Sequence, residues 1–352
     1  MSTLYVALLC CVLQEPAATT NNRTLEDLQN RARAEYWSGL FAQSEATFLA
    51  ALRMVPPRNQ IQRAEILAKL GDVFVNEDQL QNAEQVYLES LTIYKKAADK
   101  NKTILLLRNL GAVYSLQRRD DEAVGVLKEA LKIGRSGPQA DATLIGPVLN
   151  SLGVAYFRQR DITRAEKFFL EAAQLLPVSG LFRRVDLLNN LGAVYHAKRQ
   201  FEKAENYLSE ALKLTEAEVG PMHPDLTFSL SILGMIHTDM GKYAEAEAHY
   251  QRALDILDPA GLVFETRIAR LLHALSGTYT KAGRKAEAHA ALARAAAIAR
   301  RKATEHPDMA FIIDAYAESL KKNGKAKEAR ELQVEARRAK VASGLVINAH
   351  RP

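Results

Sequence analysis

The feature that most constrains this chain is a pattern that returns about every forty residues. It consists of Leu-Gly, an aromatic residue three positions after the Gly, a turn, Ala-Glu, and then Ala-Leu, and its clearest copy spans residues 233–254. With the Gly as anchor, small residues recur at spacings of 39 to 42. The anchors are Ala32, Gly71, Gly111, Gly153, Gly192, Gly234, Ser276 and Ala317. These eight repeats predict a solenoid, in which each unit packs only on its neighbours.

A second small residue stands twelve positions after every anchor, and the two sites together indicate a pair of packed helices. Residues with good helix propensity dominate, while Gly and Pro are sparse, so both arms of a repeat are predicted to be helical. Antiparallel helices approach closely only where small side chains meet. The second-site residues are Ser44, Ala83, Ala123, Ala165, Ala204, Ala246, Ala288 and Ala329. Large residues around the crossing, such as Phe74, Tyr87, Tyr156, Phe169 and Tyr250, are predicted to be core.

One repeat carries a longer motif. Residues 220–225 read Gly-Pro-Met-His-Pro-Asp, and Leu233-Gly234, Gly241-Lys242-Tyr243 and Arg252-Ala253-Leu254 follow. This stretch resembles the tetratricopeptide repeat (TPR) in its longer, kinesin-light-chain-like form. The resemblance covers residues 25–338 and implies a right-handed superhelical α-solenoid, whose first helices line a groove for peptides or partner helices. It does not include the heptad coiled coil of a kinesin light chain, so no motor role is implied.

The two ends fall outside the repeats. Residues 1–20 include the apolar run 4–13 with both cysteines, Cys10 and Cys11, and no Lys or Arg precedes the run. We slightly favour a signal peptide, and thus an exported or periplasmic protein over a cytoplasmic one. The alternatives are a short apolar helix on the first repeat or a misplaced start codon, and ten apolar residues are too few to span a bilayer. Residues 339–352 are expected to form a tail.

The charge pattern bears on the class of partner. The net charge is +6, but acidic and basic residues alternate along most of the chain, as on a solvated helix surface. A basic excess in the last two repeats leaves one alternative open, a regulatory protein associated with nucleic acid. The interspersed charges make nucleic acid the less favoured partner. A long solenoid of this kind is expected to be a monomer.

Candidate groove residues follow from the repeat. They lie three before and one, four and five after each anchor, together with neighbouring asparagines. They are Arg108, Asn109, Asn150, Phe157, Arg158, Asn189, Asn190, His196, Asp239 and His273. The asparagine amides could bond the main chain of an extended peptide, and the kinesin-light-chain resemblance implies that role. The alternative is that they cap or bridge neighbouring helices internally.

No motif for catalysis is present. The sequence has neither a Gly-rich phosphate loop nor His-Glu-x-x-His, and it is free of cysteine after residue 11. We therefore predict no catalytic residue, metal or cofactor, and an enzyme would have to draw on His196, Asp239 and His273. The leading interpretation is a scaffold or adaptor that binds an unidentified protein or peptide in the groove.

Overall fold

A computed structural model describes residues 22–136, 141–175, 181–257, 264–303, 306 and 309–342. Over these residues the chain forms sixteen α-helices and no β-strand. Odd-numbered helices are the first helices of the eight repeats, and even-numbered helices are the second. They are α1 (Asn22–Trp37), α2 (Phe41–Met54), α3 (Gln60–Asn76), α4 (Leu80–Lys96), α5 (Lys100–Leu116), α6 (Asp120–Gly134), α7 (Ala142–Arg158), α8 (Ile162–Leu175), α9 (Leu181–Ala197), α10 (Phe201–Val219), α11 (Leu226–Asp239), α12 (Tyr243–Leu257), α13 (Glu265–Lys281), α14 (Lys285–Lys302), α15 (Ala310–Lys322) and α16 (Ala326–Ala342).

The predicted all-α solenoid is confirmed, and its helices group into two compact units, Met1–Pro177 and Val178–Pro352. Unit 1 contains α1 to α8, and unit 2 contains α9 to α16. Within each unit the two helices of a repeat pack on one another, and each repeat packs on the next. The apolar run 4–13 lies outside the described residues, as does the tail from residue 343 onwards.

The anchors are small because the helices cross there. A Cβ added to Gly71 would lie 2.4 Å from Cε1 of Tyr87, and one added to Gly234 would lie 2.7 Å from Cζ of Tyr250. Real Cβ atoms do not approach other carbon atoms so closely, so a larger side chain would force the helices apart. Tyr87 and Tyr250 are themselves buried, as are all eight second-site residues. The predicted packing of the repeat is therefore confirmed.

Every first helix ends in the same turn, at the residue seven positions after the anchor. In the sixth repeat the N–H of Gly241 donates to the carbonyl of Thr238 at 3.2 Å, and the N–H of Lys242 donates to that of His237 at 2.8 Å. This is the Schellman motif, which needs a positive φ at its central residue. That φ lies between 57° and 80° in all eight repeats. The residues are Gly39, Asp78, Arg118, Arg160, Arg199, Gly241, Gly283 and Gly324.

Candidate functional site

The first helices of neighbouring repeats lie against one another within each unit. In unit 1, α5 contacts α7, and in unit 2 each of α9, α11 and α13 contacts the next first helix. Each first helix also has its own second helix on one side. What we call the inner face of each unit consists of the first-helix side chains at the predicted groove offsets, together with those six positions before each anchor.

On the inner face of unit 1, several partners converge on Asp72. Its carboxylate accepts hydrogen bonds from Lys69 Nζ at 3.0 Å, Tyr87 Oη at 2.7 Å and Asn109 Nδ2 at 3.3 Å. Burial, and then the charge of Asp72, raise the pKa of Tyr87, so the phenol stays protonated and remains a donor. Arg108 Nη2 in turn donates to Asn109 Oδ1 at 3.1 Å. The side-chain amide of Asn109 therefore bonds two residues of the chain itself, Asp72 and Arg108.

Arg158 lies further along the inner face of unit 1, at the end of α7. Its Nε donates to Asp120 Oδ1 at 2.8 Å, which ties α7 to the start of α6. Its Nη2 is buried and has no hydrogen-bond partner among the described residues. Asn150 and Phe157, on the same helix, are half-buried. These three side chains are near one another in sequence and lie at the predicted inward offsets.

Unit 2 holds a chain of charges across three repeats. Asp239 of α11 lies between His196 of α9 and Lys281 of α13. His196 Nε2 is 2.8 Å from Asp239 Oδ2, and Lys281 Nζ donates to Asp239 Oδ1 at 2.7 Å. Partial burial opposes ionisation of Asp239, but the hydrogen bonds from Lys281 and His196 outweigh it and lower its pKa. An ionised Asp239 thus joins three successive first helices.

Exposed apolar side chains share the inner face of unit 2 with these charges. Phe228 and Met235 are 53% and 43% exposed. They precede Asp239 by eleven and four residues, a spacing that puts all three on one stripe of α11. His273 of α13 lies edge-on to Phe311 of α15 with ring centroids 5.1 Å apart, and burial lowers the pKa of His273. Of the two predicted histidines, His196 therefore contacts Asp239, and His273 contacts Phe311.

The predicted run of asparagines is not a row of open amides. Asn189 is only 5% exposed, and its Oδ1 accepts a hydrogen bond from Ser229 of α11 at 2.6 Å. For Asn189 this geometry favours the alternative that the side chain bridges two helices internally. Asn109 bonds Asp72 as described above, whereas Asn150 and Asn190 are half-buried.

Several inner-face residues were missed among the predicted site residues. Asp72 follows its anchor by one, so the offset rule could have found it, as it does find Lys281 five after its anchor. Phe228 and Phe311 stand six before their anchors, an offset that the rule left out. Trp37, five after the first anchor, is 83% exposed and is the only tryptophan of the chain.

Two negative observations concern other kinds of site. The described helices include none that is long and apolar enough to cross a membrane. Among the described residues, His, Cys, Asp and Glu side chains form no group of three or more that could hold a metal ion.

Comparison with protein-family models gives two matches, both described as tetratricopeptide repeat. One covers residues 62–136 and 183–258, and the other covers residues 148–176 and 268–308. Together they account for more than half of the chain. A comparison with curated proteins finds no match.

Solved structures of similar fold include three that align over most of their own length. The apo form of the quorum sensor NprR from B. thuringiensis is 14% identical with a TM-score of 0.69, covering 90% of this chain and 87% of that one. The apo form of RapI is 17% identical with a TM-score of 0.60, covering 80% and 99%. BtubC (BKLC) from P. vanneervenii is 21% identical with a TM-score of 0.54, covering 62% and 90%.

At these identities the structural likeness concerns the fold alone. The family models, the repeated helix pairs and the small residues at each crossing nevertheless agree with one another. The repeats recur every 39 to 42 residues, a period longer than the usual 34. The chain therefore belongs to the tetratricopeptide-repeat family.

Proposed function

We propose that the inner face of unit 2 binds a peptide segment of a partner protein, and that the chain acts as a scaffold or adaptor. One observation carries the proposal, namely that Phe228 and Met235 are each about half exposed on the helix that carries the ion-paired Asp239. Large apolar side chains are normally withdrawn from water, and a patch of them with charged neighbours is typical of a binding surface. Repeats of this family generally serve protein interaction, which supports the same proposal.

The charged residues give this face a means of fixing the position of a peptide. Phe228, Met235 and Phe311 would cover apolar side chains of the ligand. Lys281 is half-exposed although it bonds Asp239, so it keeps donors for a carbonyl or a carboxylate of the peptide. Burying the apolar side chains supplies affinity, while the polar contacts favour one position of the peptide along the inner face.

In unit 1 we retain Arg108, Asn150, Phe157 and Arg158 as proposed ligand-facing residues, with Asn190 and His273 in unit 2. Asn109 and Asn189 take structural roles in the proposal, since their amides bond Asp72 and Ser229. Replacing Asn189 would therefore disturb packing as well as any groove. Variants that test binding should avoid it.

The test is selection of peptides from a random-sequence phage library on the full chain. Affinities of the enriched peptides are then measured by fluorescence anisotropy. A Phe228→Ala/Met235→Ala variant is expected to bind them about tenfold more weakly, or worse, because each truncation removes apolar contact area. Val334→Ala on the second helix α16 removes a similarly exposed side chain away from the inner face, and should bind like the parent. No enrichment, or equal loss in both variants, would refute the proposal.

The alternative is a nucleic-acid-associated regulator that uses the basic last two repeats. Part of that basic charge is already paired, since Arg300 bonds Glu335, Arg301 bonds Glu265 and Lys340 bonds Asp314. Binding of a labelled nucleic acid that falls steeply with salt concentration would support this alternative over the peptide proposal.

A further inference from the structure

The sixth repeat departs from its neighbours at a buried pair of rings. In the fourth and fifth repeats, the residue three after the anchor and the residue twelve positions beyond it carry aromatic rings that stack between the two helices. In the fifth repeat these are Tyr195 and Tyr207, with ring centroids 5.4 Å apart and planes 8° apart. In the fourth they are Tyr156 and Phe168, at 5.5 Å and 2°. In the sixth repeat both positions are histidine, His237 and His249, at 5.0 Å and 38°.

The first of these positions has a carboxylate partner in the preceding repeat where the seventh repeat carries a tyrosine. In the seventh repeat Tyr279 Oη donates to Glu247 Oε1 at 2.7 Å, and the guanidinium of Arg284 lies 4.4 Å above the tyrosine ring. Glu205 occupies the place of Glu247 one repeat earlier. His237 Nε2 lies 3.5 Å from Glu205 Oε1, which is not a hydrogen bond in this structure. The imidazole is shorter than a tyrosine and does not reach its acceptor.

His237 is consequently a buried imidazole with unsatisfied nitrogens. It is 6% exposed, and within the part of the chain that the structure describes neither Nδ1 nor Nε2 has a hydrogen-bond partner. Leaving a buried polar group without a partner costs stability. A proton on His249 would place a positive charge against this buried ring.

The charged groups around the pair come from every neighbouring helix. Burial lowers the pKa of His249 first, followed by the charge of His237, with Arg252 acting the same way and Glu205 and Glu245 opposing. On the opposite side of the last turn of α11, the carboxylate of Asp239 is hydrogen-bonded to His196 of α9 and Lys281 of α13. His237 and Asp239 are two residues apart, so one turn carries both the histidine pair and the ion-paired network.

We propose that protonation of His249, against the buried ring of His237, loosens the last turn of α11 and thereby weakens ligand binding at the inner face of unit 2. This regulation rests on the function proposed above. Where the turn has opened and exposed His249, this residue takes up a proton near its ordinary pKa of 6.5, whereas the half-buried His249 of the closed turn does so only at lower pH. The opened state therefore binds more protons below that pH, and its population rises as the solution is acidified.

The first test needs no ligand. Hydrogen exchange of residues 226–257 is measured by mass spectrometry in the full chain at about pH 7.5 and about pH 5.5, corrected for intrinsic exchange rates. The equilibrium constant for opening should increase about tenfold for each pH unit of acidification, per proton that only the opened state binds. His237→Tyr/His249→Tyr reproduces the Tyr195–Tyr207 pair and should remove this increase, while helix α16 should respond equally in both proteins.

A second variant guards against poor folding of the double tyrosine variant. His249→Phe copies the Phe168 position and removes the group whose pKa is lowered, so its pH response should be lost as well. An unchanged pH response in either variant, or no response in the parent, would overturn the proposal.

The link to binding is tested with a peptide enriched by the phage selection. Its affinity for the parent should drop several-fold from about pH 7.5 to about pH 5.5, and the double tyrosine variant should lose this dependence. If no peptide is enriched, the binding proposal fails, yet the exchange experiment still decides whether the histidine pair responds to protons. If exchange responds and affinity does not, the pair is uncoupled from the inner face and the inference is wrong.

Discussion

The two units use an inner-face aspartate differently. In unit 1, Asp72 takes its donors from its own repeat, through Lys69 and Tyr87, and from the next repeat through Asn109. In unit 2, Asp239 takes them from the preceding and following repeats, through His196 and Lys281. The first arrangement fixes the two helices of one repeat by way of a buried phenol. The second joins neighbouring first helices through side chains that water can still reach, where a ligand or a proton can alter them.

The turns differ between the units as well. The position of positive φ after each first helix is glycine once in unit 1, at Gly39, and three times in unit 2. A side chain with a Cβ is strained in this conformation by about 1 kcal/mol, while glycine is not. Unit 1 therefore carries local strain in turns that unit 2 mostly avoids, although the two units share the same helix crossings.

The largest predicted effect tests whether the crossings are equally tight in both units. Gly71→Leu and Gly234→Leu are each expected to destabilise their own unit by about 3 kcal/mol or more, because the new side chain would overlap Tyr87 or Tyr250. Hydrogen exchange of the full chain, read separately for the helices of each unit, measures the loss and where it occurs.

Helical glycines that face open space provide the matched controls. A Cβ at Gly125 in unit 1 or Gly277 in unit 2 would meet nothing within 4 Å. Alanine at either position should stabilise by about 0.5 to 1 kcal/mol through its helix propensity. If Gly71→Leu or Gly234→Leu were tolerated like these, the close crossing would be refuted for that unit.

A smaller effect should separate the two aspartates. Asp72→Ala is expected to cost about 1 to 3 kcal/mol, because the buried hydroxyl of Tyr87 loses its acceptor. Asp239→Ala should cost less than about 1 kcal/mol in stability, since its partners remain partly solvated. Thermal unfolding compared at one pH measures both, and a larger loss for Asp239→Ala would reverse the contrast.

The pH dependence of the Asp239 contribution has a definite sign. Its pKa is lowered in the folded chain, so the stabilisation is present above the ordinary value of 3.8 and disappears as pH falls below it. The difference in stability between the parent and Asp239→Ala should therefore shrink on acidification towards pH 3.8 and below.

The helix pairs could be predicted from sequence because their signal is local and repeated. Small residues at two fixed offsets indicate the crossing at Gly234 whatever surrounds it, and the structure confirms it. The pairing of His196 with Asp239 was not predictable in this way. It depends on how one first helix is displaced along the next, so that a residue four after one anchor meets a residue five after another.

The missed features have a similar cause. Asn189 has the same residue type as Asn150 at the same offset, yet it is buried because Ser229 happens to stand opposite. The turns at Arg118, Arg160 and Arg199 share the conformation of Gly241, but an arginine gives no sequence signal for a positive φ. Conformations imposed by neighbouring repeats thus escape a position-by-position interpretation, even where the repeat itself is plain.

The smallest predicted effect concerns these turns. Arg160→Gly in unit 1 should stabilise by about 0.5 to 1 kcal/mol, because glycine adopts the positive φ of 64° without the Cβ penalty. Gly241→Arg in unit 2 should destabilise by a similar amount, although a Cβ there would meet nothing within 4 Å, so backbone conformation is the sole cause.

Thermal unfolding of the two variants beside the parent measures the effects. If they were opposite in sign and similar in size, conformation at this turn would account for the difference between the units. If Arg160→Gly were neutral or destabilising, the arginine side chain would have to contribute contacts that offset its strain, and the turns of unit 1 would need another explanation.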